Sequence, residues 1–219
     1  MSRLFILAMV LAVSGCVSGL RSSAPPTQVY VLRAAEPAER ASAPLDVSVR
    51  VARPLADPGL DSERIVLVQA DHRMGHYAAS RWPAELPEVV ESLVVSRLRA
   101  TGAWAAVQDS LSPFPADYLL RITIRRFEAD YVSAPRAPVA RVVLDCTLGR
   151  RTGREVVATF VAEGSAQAED NRLGAVVAAF QQAVNEALAI LSERAQEAAA
   201  RDLAAADQKV ESPVPSRIR

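Results

Sequence analysis

The sequence predicts an α+β domain: a small, mainly antiparallel sheet with two amphipathic helices packed on it, plus a signal peptide and an exposed C-terminal helical extension. Several short segments alternate apolar with polar residues, two longer segments repeat apolar residues every three or four positions, and turn-forming residues separate them. We therefore divide the 219 residues into a signal peptide (1–15), a lipidated tether (16–28), one folded domain (29–195) and a helical extension with a disordered tail (196–219).

The charge balance argues against a polyanionic partner. The chain has 25 basic and 25 acidic residues, so it has no long-range positive field that would attract nucleic acid. Half of the residues are hydrophobic, but only 5% are aromatic. The core must therefore be built from valine, leucine, isoleucine and a few phenylalanines, which suffices for an ordinary globular domain.

The N-terminus is organised like a secretory signal. Arg3 precedes an unbroken apolar run, Leu4–Val13, which is too short for a membrane-spanning helix because spanning takes about 20 apolar residues. Residues 13–16 (VSGC) then have the pattern of a bacterial lipobox, in which the cysteine takes a diacylglycerol and the new amine is acylated. We predict lipidation of Cys16 and attachment to the membrane through it. An ordinary signal peptide with an incidental cysteine is the alternative.

Three short segments before the first helix predict strands: Val29–Arg33, Asp46–Arg53 and Arg64–Gln69. The second alternates valine with polar residues, which suits one buried face, and the third is mostly apolar, which suits burial on both faces. The turn-rich loop between them favours an antiparallel pair. Residues 71–82 show no clean period, so we predict an extended segment with a turn near Gly75.

The first helix is predicted from a single apolar stripe. Proline is tolerated before or within the first helical turn, where Pro83 and Pro87 fall, and Gly102 is a natural C-terminal stop. The stripe has the spacing of one buried helical face. It consists of Leu86, Val89, Val90, Leu93, Val94 and Leu98.

Three longer strands predict an antiparallel meander. They are Tyr118–Glu128, Arg141–Gly149 and Glu155–Ser165, with a shorter strand at Ala105–Gln108 before them. In the first of the three, the alternation of apolar residues slips at Arg126–Phe127, which indicates a β-bulge.

The hairpin between the last two of these strands is rich in arginine. Arg150, Arg151 and Arg154 could contact acidic head groups or a partner, although a charged hairpin tip is commonly only solvated. We keep these three arginines, the basic hairpin, as a candidate binding surface.

The second helix is predicted to begin after Asp170 or Asn171, either of which can cap it. Beyond Ala195 the sequence is mainly alanine and charged residues, so we expect an exposed, fraying extension, and residues 212–219 contain two prolines that favour disorder. The apolar face consists of Leu173, Val176, Val177, Phe180, Val184, Leu188 and Leu191.

The residue types needed for catalysis are scarce. The two histidines, His72 and His76, share one irregular segment and have no partner motif for nucleophilic catalysis. Their four-residue spacing would suit zinc only on a helix, which Gly75 argues against. Cys146 alternates with apolar residues, which favours a small buried hydrophobe over a reactive thiol. Phosphate-binding motifs are absent. We therefore predict no enzyme activity, no catalytic residues, no metal and no cofactor.

The most specific local pattern is Tyr77, followed by Arg81 and Trp82 directly before the first helix. One interpretation is structural: Trp82 fills the edge of the core where the helix begins, and Tyr77 lies against the sheet. The other is an aromatic and basic binding surface, which requires these side chains to be exposed. We favour the structural interpretation and keep the binding surface open.

Taken in order along the chain, these features resemble the ABC-type transport auxiliary lipoproteins, the group that includes the paraquat-inducible-type lipoprotein. The resemblance covers nearly all of the mature domain. It rests on the lipobox at Cys16, the strand at 30–32 (YVL), the stretch at 54–66 (PLADPGLDSERIV), the pattern of Tyr77, Arg81 and Trp82, and the terminal helix with Phe180.

The resemblance implies a non-catalytic, periplasm-facing lipoprotein that works beside an ABC permease and ATPase and a mammalian-cell-entry protein. The system would transport lipids or other hydrophobic substrates. Val17 after Cys16 is not an acidic retention signal, so the outer membrane is favoured over the inner membrane. A stand-alone envelope adaptor or assembly lipoprotein, which binds protein partners without moving lipid, is the alternative, and a homo-oligomer is left open.

Overall fold

The computed structural model describes residues 26–132, 134, 136–152 and 154–211. The predicted signal peptide, the predicted lipidation site Cys16 and the predicted tail at 212–219 lie outside the described residues. The helices are α1 (Leu86–Thr101) and α2 (Leu173–Glu211). The strands are β1 (Gln28–Val29), β2 (Leu45–Val51), β3 (Leu55–Ala56), β4 (Arg64–Val68), β5 (Met74–Arg81), β6 (Trp104–Gln108), β7 (Tyr118–Asp130), β8 (Val139–Arg150) and β9 (Val156–Gln167).

The long strand β7 is the centre of a nine-stranded sheet. Along one edge, β8 runs antiparallel to β7, and β9 runs antiparallel to β8. The other edge of β7 receives β2, β3 and β4 one after another, all parallel to it, at residues 118–120, 123–124 and 129–130. Outside β2 lies β6, whereas β5 and then β1 lie outside β4. The chain between residues 45 and 68 therefore travels along a single edge of β7.

The sheet is larger than predicted, and it is mixed where a mainly antiparallel sheet was expected. The antiparallel meander is confirmed as β7, β8 and β9, with the bulge marked by a register shift between Ile124 and Arg126. The predicted antiparallel pairing of the strands at 46–53 and 64–69 is wrong, because β2 and β4 both run parallel to β7 on its same edge. Apolar alternation specifies which face of a strand is buried, but it specifies neither the neighbour nor its direction.

The segment before α1 is more regular than its sequence indicates. It forms β5, which is antiparallel to β4. The turn lies earlier than predicted: the Gln69 N–H donates to the Arg73 carbonyl (2.9 Å), and His72 between them has a φ of 66°. Gly75 is inside the strand, opposite Leu67. The strand predicted at 29–33 is reduced to the two residues of β1.

The limits of α1 agree with the prediction. Pro87 lies in the first turn, and Gly102 adopts a φ of 64° as the C-terminal cap, with its N–H donating to the Arg99 carbonyl (3.2 Å). Glycine adopts this left-handed conformation without steric cost. All six residues of the predicted stripe are buried.

The predicted exposure of the C-terminal extension is wrong where the extension begins. Ala198 is 4% exposed and Ala199 is fully buried, so α2 remains packed past residue 195. Small alanine side chains allow a helix to lie close to its neighbours, and they therefore form a buried face without large apolar residues. Composition alone does not distinguish such a face from a solvated one.

Both helices lie on the same face of the sheet. The first packs against β2, β3 and β6, the second packs against β8 and β9, and the two helices contact each other. At Gly164, α2 comes so close to β9 that a Cβ there would collide with the backbone of Ala183. Residues 173–208 are long and apolar enough to cross a membrane, but Phe180 and Leu191 from this stretch are buried in the core.

Candidate functional site

No helix in the described part of the chain packs on the opposite face of the meander. Along β7, Leu120, Ile122 and Ile124 are buried, whereas Arg121 and Arg125 between them are exposed. The strand register carries this alternation into β8 and β9. We call the second surface the uncovered face. It consists of Leu119, Arg121, Thr123 and Arg125 from β7, Val143, Asp145 and Thr147 from β8, and Thr159, Val161 and Glu163 from β9.

A shallow depression of about 800 Å³ lies in the middle of the uncovered face. Its apolar lining includes Leu55, which is 61% exposed, and Val161, which is 48% exposed. Three threonines also line it: Thr123, Thr147 and Thr159. Exposed apolar side chains that are grouped on one surface are typical of a contact site for another molecule.

Charges at one end of this surface neutralise one another. Glu128 and Asp130 are buried, and they pair with Arg126 and Arg141 at 2.6 and 2.7 Å. Burial acts to raise the pKa of Asp130, but the hydrogen bond and charge of Arg141 outweigh it, so the pKa is lowered. The carboxylate remains ionised near neutral pH and holds the ends of β7 and β8 together.

Toward the other end, positive charge is in excess. Arg125 is balanced by Asp57 at 3.3 Å and Asp145 at 3.8 Å. Arg121 is exposed, and no acidic residue in the described structure lies within salt-bridge distance of it. It lines a second hollow, of about 410 Å³, which adjoins the first and extends to the basic hairpin.

The basic hairpin contains one arginine that joins elements of the fold and two that are exposed. Arg150 donates two hydrogen bonds to the carboxylate of Asp202 on α2, at 2.6 and 3.1 Å. Arg151 and Arg154 are exposed, and they line the second hollow. Arg151 and Arg154 are therefore the hairpin arginines whose charge is accessible at the described surface.

Trp82 lies in the core and is 1% exposed. Its ring packs edge-on against Phe127 and Phe180, with ring centroids 5.8 and 5.5 Å away, and those two rings stack at 5.3 Å. We call these three residues the aromatic cluster. Because they come from the segment between β5 and α1, from β7 and from α2, the cluster joins the sheet to α2 at the point where the chain enters α1. The Trp82 ring is not accessible to a partner at the surface.

Tyr77 and Arg81 are held by separate contacts. The Tyr131 hydroxyl donates to the Asn171 side-chain oxygen (2.5 Å), so the Tyr77 hydroxyl must donate to Tyr131 (2.8 Å). Burial, and then this hydrogen bond, raise the pKa of Tyr77 well above its usual value. Arg81 pairs with Glu63, and part of its side chain is exposed. Tyr77, Arg81 and Trp82 therefore do not form one exposed surface.

The two histidines and Cys146 do not form a reactive centre in the described structure. His72 is exposed in the turn before β5, and burial followed by the charge of Arg64 lowers the pKa of His76. Among the described residues, no group of three or more metal-ligating side chains occurs. Cys146 is fully buried, and burial together with the charge of Asp145 raises its pKa to about 12. Its thiol is a core hydrophobe, as the alternation predicts.

The sequence signal for the uncovered face is the alternation of Arg121, Thr123 and Arg125 with the apolar residues of β7. That signal does not show which strands adjoin, or that both helices lie on the same side. The pair of Arg150 and Asp202 joins residues 52 positions apart and has no local signal at all.

Comparison with known proteins identifies a family and a fold. The sequence model of the family described as the ABC-type transport auxiliary lipoprotein component matches residues 30–192. A crystal structure of a Xanthomonas campestris protein is similar, with 26% identity, a TM-score of 0.70, and coverage of 80% of this chain and 98% of that chain. A crystal structure of an uncharacterized protein, with 13% identity and a TM-score of 0.61, covers 78% of this chain and 99% of that one and supports the fold alone. No curated protein matches the sequence.

Proposed function

This chain belongs to the ABC-type transport auxiliary lipoprotein family, and we propose that it is a non-catalytic envelope lipoprotein that acts as a periplasmic docking subunit. Its partners would be an ABC permease and ATPase together with a mammalian-cell-entry protein. The system would move lipids or other hydrophobic substrates. The observation that carries this proposal is the family match over residues 30–192, which spans β2 to β9, α1 and α2 as far as residue 192.

The proposed location is the periplasmic face of the outer membrane. Residues 13–16 supply the lipobox, and Val17 lacks the acidic character of an inner-membrane retention signal. The eleven residues between Cys16 and β1, at up to about 3.5 Å each, could place the domain roughly 40 Å from its anchor. That reach would let a lipid-anchored domain meet a partner that projects from the other membrane.

We assign partner contact to the uncovered face and to Arg151 and Arg154. The depression there combines exposed apolar side chains with threonines, and the excess of positive charge at its hairpin end would select an acidic partner surface. The opposite face is occupied by the helices and is unavailable.

Co-purification of the full-length, tagged chain from native membranes in mild detergent tests the proposal. We expect a permease, an ATPase and a mammalian-cell-entry protein to be recovered together, as identified by mass spectrometry. Recovery of the chain without these three proteins would overturn the transport assignment. Recovery with other envelope proteins would support a stand-alone adaptor or assembly lipoprotein.

The anchor can be tested separately. We expect Cys16→Ala to abolish membrane attachment, because no acyl chain can be added and the tether is then free. Fractionation after a salt wash measures this, and Cys146→Ala serves as the matched cysteine control that should remain in the membrane fraction. A Cys16→Ala protein that still sediments with membranes would show that lipidation is not the anchor.

A further inference from the structure

The outer edge of β9 is a long stretch of accessible backbone, and we propose that it receives an extended, basic segment of a partner protein as an additional strand. The inference rests on the proposed function, because it describes how a transport partner would dock. Extended segments bind exposed sheet edges through main-chain hydrogen bonds, and alternate side chains provide the specificity.

The direction of the backbone groups on β9 follows from two hydrogen bonds. The Ser165 N–H points away from β8 and donates to a glutamate of α2 (2.9 Å), whereas the Ala168 N–H points toward β8 and donates to the carbonyl before that strand (2.9 Å). Successive residues of a strand direct these groups to opposite sides. Thr159, Val161 and Glu163 therefore present their N–H and C=O groups outward, and β9 pairs with β8 alone.

The other exposed edges in the described sheet are protected. β6 has five residues, and the Val107 carbonyl on it accepts two hydrogen bonds from the Arg99 guanidinium, at 3.1 and 3.2 Å. β1 has two residues, and the part of β5 beyond it is distorted at Ala79, where φ is 48° and the register shifts. Short strands, covering side chains and bulges are the usual means of blocking unwanted strand pairing.

β9 has these protections only near its ends, as a register shift between Val156 and Ala158 and as a hydrogen bond from the Ser165 N–H to Glu186. The stretch from Thr159 to Glu163 has neither. β9 has 12 residues, contains neither proline nor lysine, and its one charged residue is Glu163. Val156 and Val161 on it are 66% and 48% exposed. In the described structure, the Glu186 side chain covers the edge at Ser165. An open edge of this length would promote aggregation unless a partner covers it.

The charge around the edge favours a basic occupant. Glu186 of α2 reaches the edge at Ser165, and Glu193 and Glu197 follow it by seven and eleven positions. On an α-helix those positions lie within about 20° of Glu186, so all three face the same side, and the latter two are exposed.

Arg194 and Arg201 are also exposed and lie within about 80° of Glu186 on the same helix. The three glutamates and Glu163 outnumber them, so this side of the molecule has a net negative charge. Lysine or arginine on the incoming strand would be attracted along this side, which runs from Ser165, contacted by Glu186, toward the basic hairpin, where Asp202 of the same helix binds Arg150.

A second copy of this chain fits the edge less well. If β9 paired antiparallel with its own copy, a two-fold axis would place the two α2 helices side by side. Their acidic sides, with Glu193 and Glu197, would then face each other. Like charges placed opposite each other are destabilising, so the structure favours a basic segment over self-association.

Peptide binding to the purified full-length chain tests the strand addition. The probe is a labelled peptide of about ten residues that alternates threonine with valine and has lysine in place of two threonines. We expect Val161→Pro to weaken its binding about tenfold, because proline removes an outward N–H and crowds the edge. Val161→Thr, which keeps the N–H and the β-branch, should bind like the wild type in fluorescence polarisation.

A second measurement leaves the protein unchanged. The same peptide with alternate backbone nitrogens methylated cannot donate along one edge, and it should bind about tenfold more weakly than the parent peptide. This comparison remains decisive even where Val161→Pro lowers the unfolding temperature. Equal binding of the methylated and parent peptides, or full binding by a folded Val161→Pro protein, would overturn the proposal.

The charge of the occupant is tested with a peptide that has glutamate in place of the two lysines. We expect it to bind at least about tenfold more weakly than the basic peptide at low salt, with the difference shrinking as salt rises. Equal or stronger binding of the acidic peptide would overturn the basic occupant. If the wild-type protein sediments as a dimer and Val161→Pro sediments as a monomer, the edge binds a second copy of the chain instead.

Native co-purification separates this inference from the proposed function. If the wild-type chain and Val161→Thr, which loses the valine side chain but keeps the outward N–H, recover the transport proteins and folded Val161→Pro does not, both are supported. If the wild type and Val161→Pro recover them equally, the edge inference fails and the proposed function stands. If the wild type recovers none, the proposed function fails whatever the peptides show.

Discussion

The covered and uncovered faces of the meander are made by the same strands but differ in nearly every property. On the covered face, Leu120, Leu144 and Leu148 are at most 2% exposed and pack under the helices. On the uncovered face, Arg121 and Val161 are exposed. Because side chains alternate along a strand, each strand contributes to both surfaces. Stability therefore rests on the covered face, and the partner contact that we propose lies on the other, so the two should respond to different substitutions.

The largest expected effect is that of removing the centre of the covered face. Trp82→Ala should lower the free energy of unfolding by about 4 kcal/mol, because it leaves a cavity between Phe127 and Phe180. Chemical denaturation monitored by circular dichroism measures the loss. Phe114→Ala is the control, since Phe114 is an aromatic residue that is 69% exposed, and it should change stability by less than about 0.5 kcal/mol. Unchanged stability in Trp82→Ala with loss of the partner complex would assign Trp82 to a binding surface.

A smaller effect is expected where α2 crosses the sheet. Gly164→Ala should lower the free energy of unfolding by about 2 kcal/mol, because its Cβ would collide with backbone atoms of Ala183 and Ala187. Gly174→Ala in the first turn of α2 is the matched control, since a Cβ there meets nothing within 4 Å, and it should leave stability equal or slightly higher. Equal unfolding midpoints for the two variants would show that α2 does not approach β9 this closely.

The smallest effect on stability, but a clear effect on binding, is expected from the basic hairpin beside the uncovered face. The double substitution Arg151→Gln and Arg154→Gln should leave the thermal unfolding curve unchanged, because both side chains are exposed and have no acidic partner in the described structure. It should reduce recovery of the native complex. Arg150→Gln is the matched control, because it loses two hydrogen bonds to Asp202 and should lower the unfolding temperature.

Two results would contradict this separation of stability from partner contact. One is a stability loss in the Arg151 and Arg154 double variant as large as that of Arg150→Gln. That result would show that Arg151 and Arg154 also stabilise the fold. The other is full recovery of the complex by the double variant, which would remove the basic hairpin from the partner surface and leave the uncovered face and the β9 edge as the proposed contacts.

Local elements were predictable wherever the pattern repeats within a few residues. The stripe of α1, its stop at Gly102, the three strands of the meander and the bulge near Arg126 are all present. Each depends on backbone preferences or on side-chain periodicity along one segment. The turn before β5 was misplaced at Gly75, because His72 adopts the left-handed conformation that glycine usually supplies.

The candidate site was predictable only in part. The basic hairpin was visible as a cluster of three arginines, but its division into Arg150, bound to Asp202, and the exposed Arg151 and Arg154 was not. Trp82 was visible as an aromatic residue at a helix start, whereas its partners Phe127 and Phe180 lie 45 and 98 positions further along the chain (127 − 82 and 180 − 82).

Both helices, most of the strands and the family were predictable from the order of neighbouring residues, whereas β3, β5 and the buried alanines past residue 195 were not. The tertiary structure was needed to show that β2, β3 and β4 share one edge of β7, that both helices cover one face, and that the edge of β9 is open. The physical reason is that strand pairing uses backbone groups common to every residue, so its partners are selected by how the buried faces of distant segments pack together.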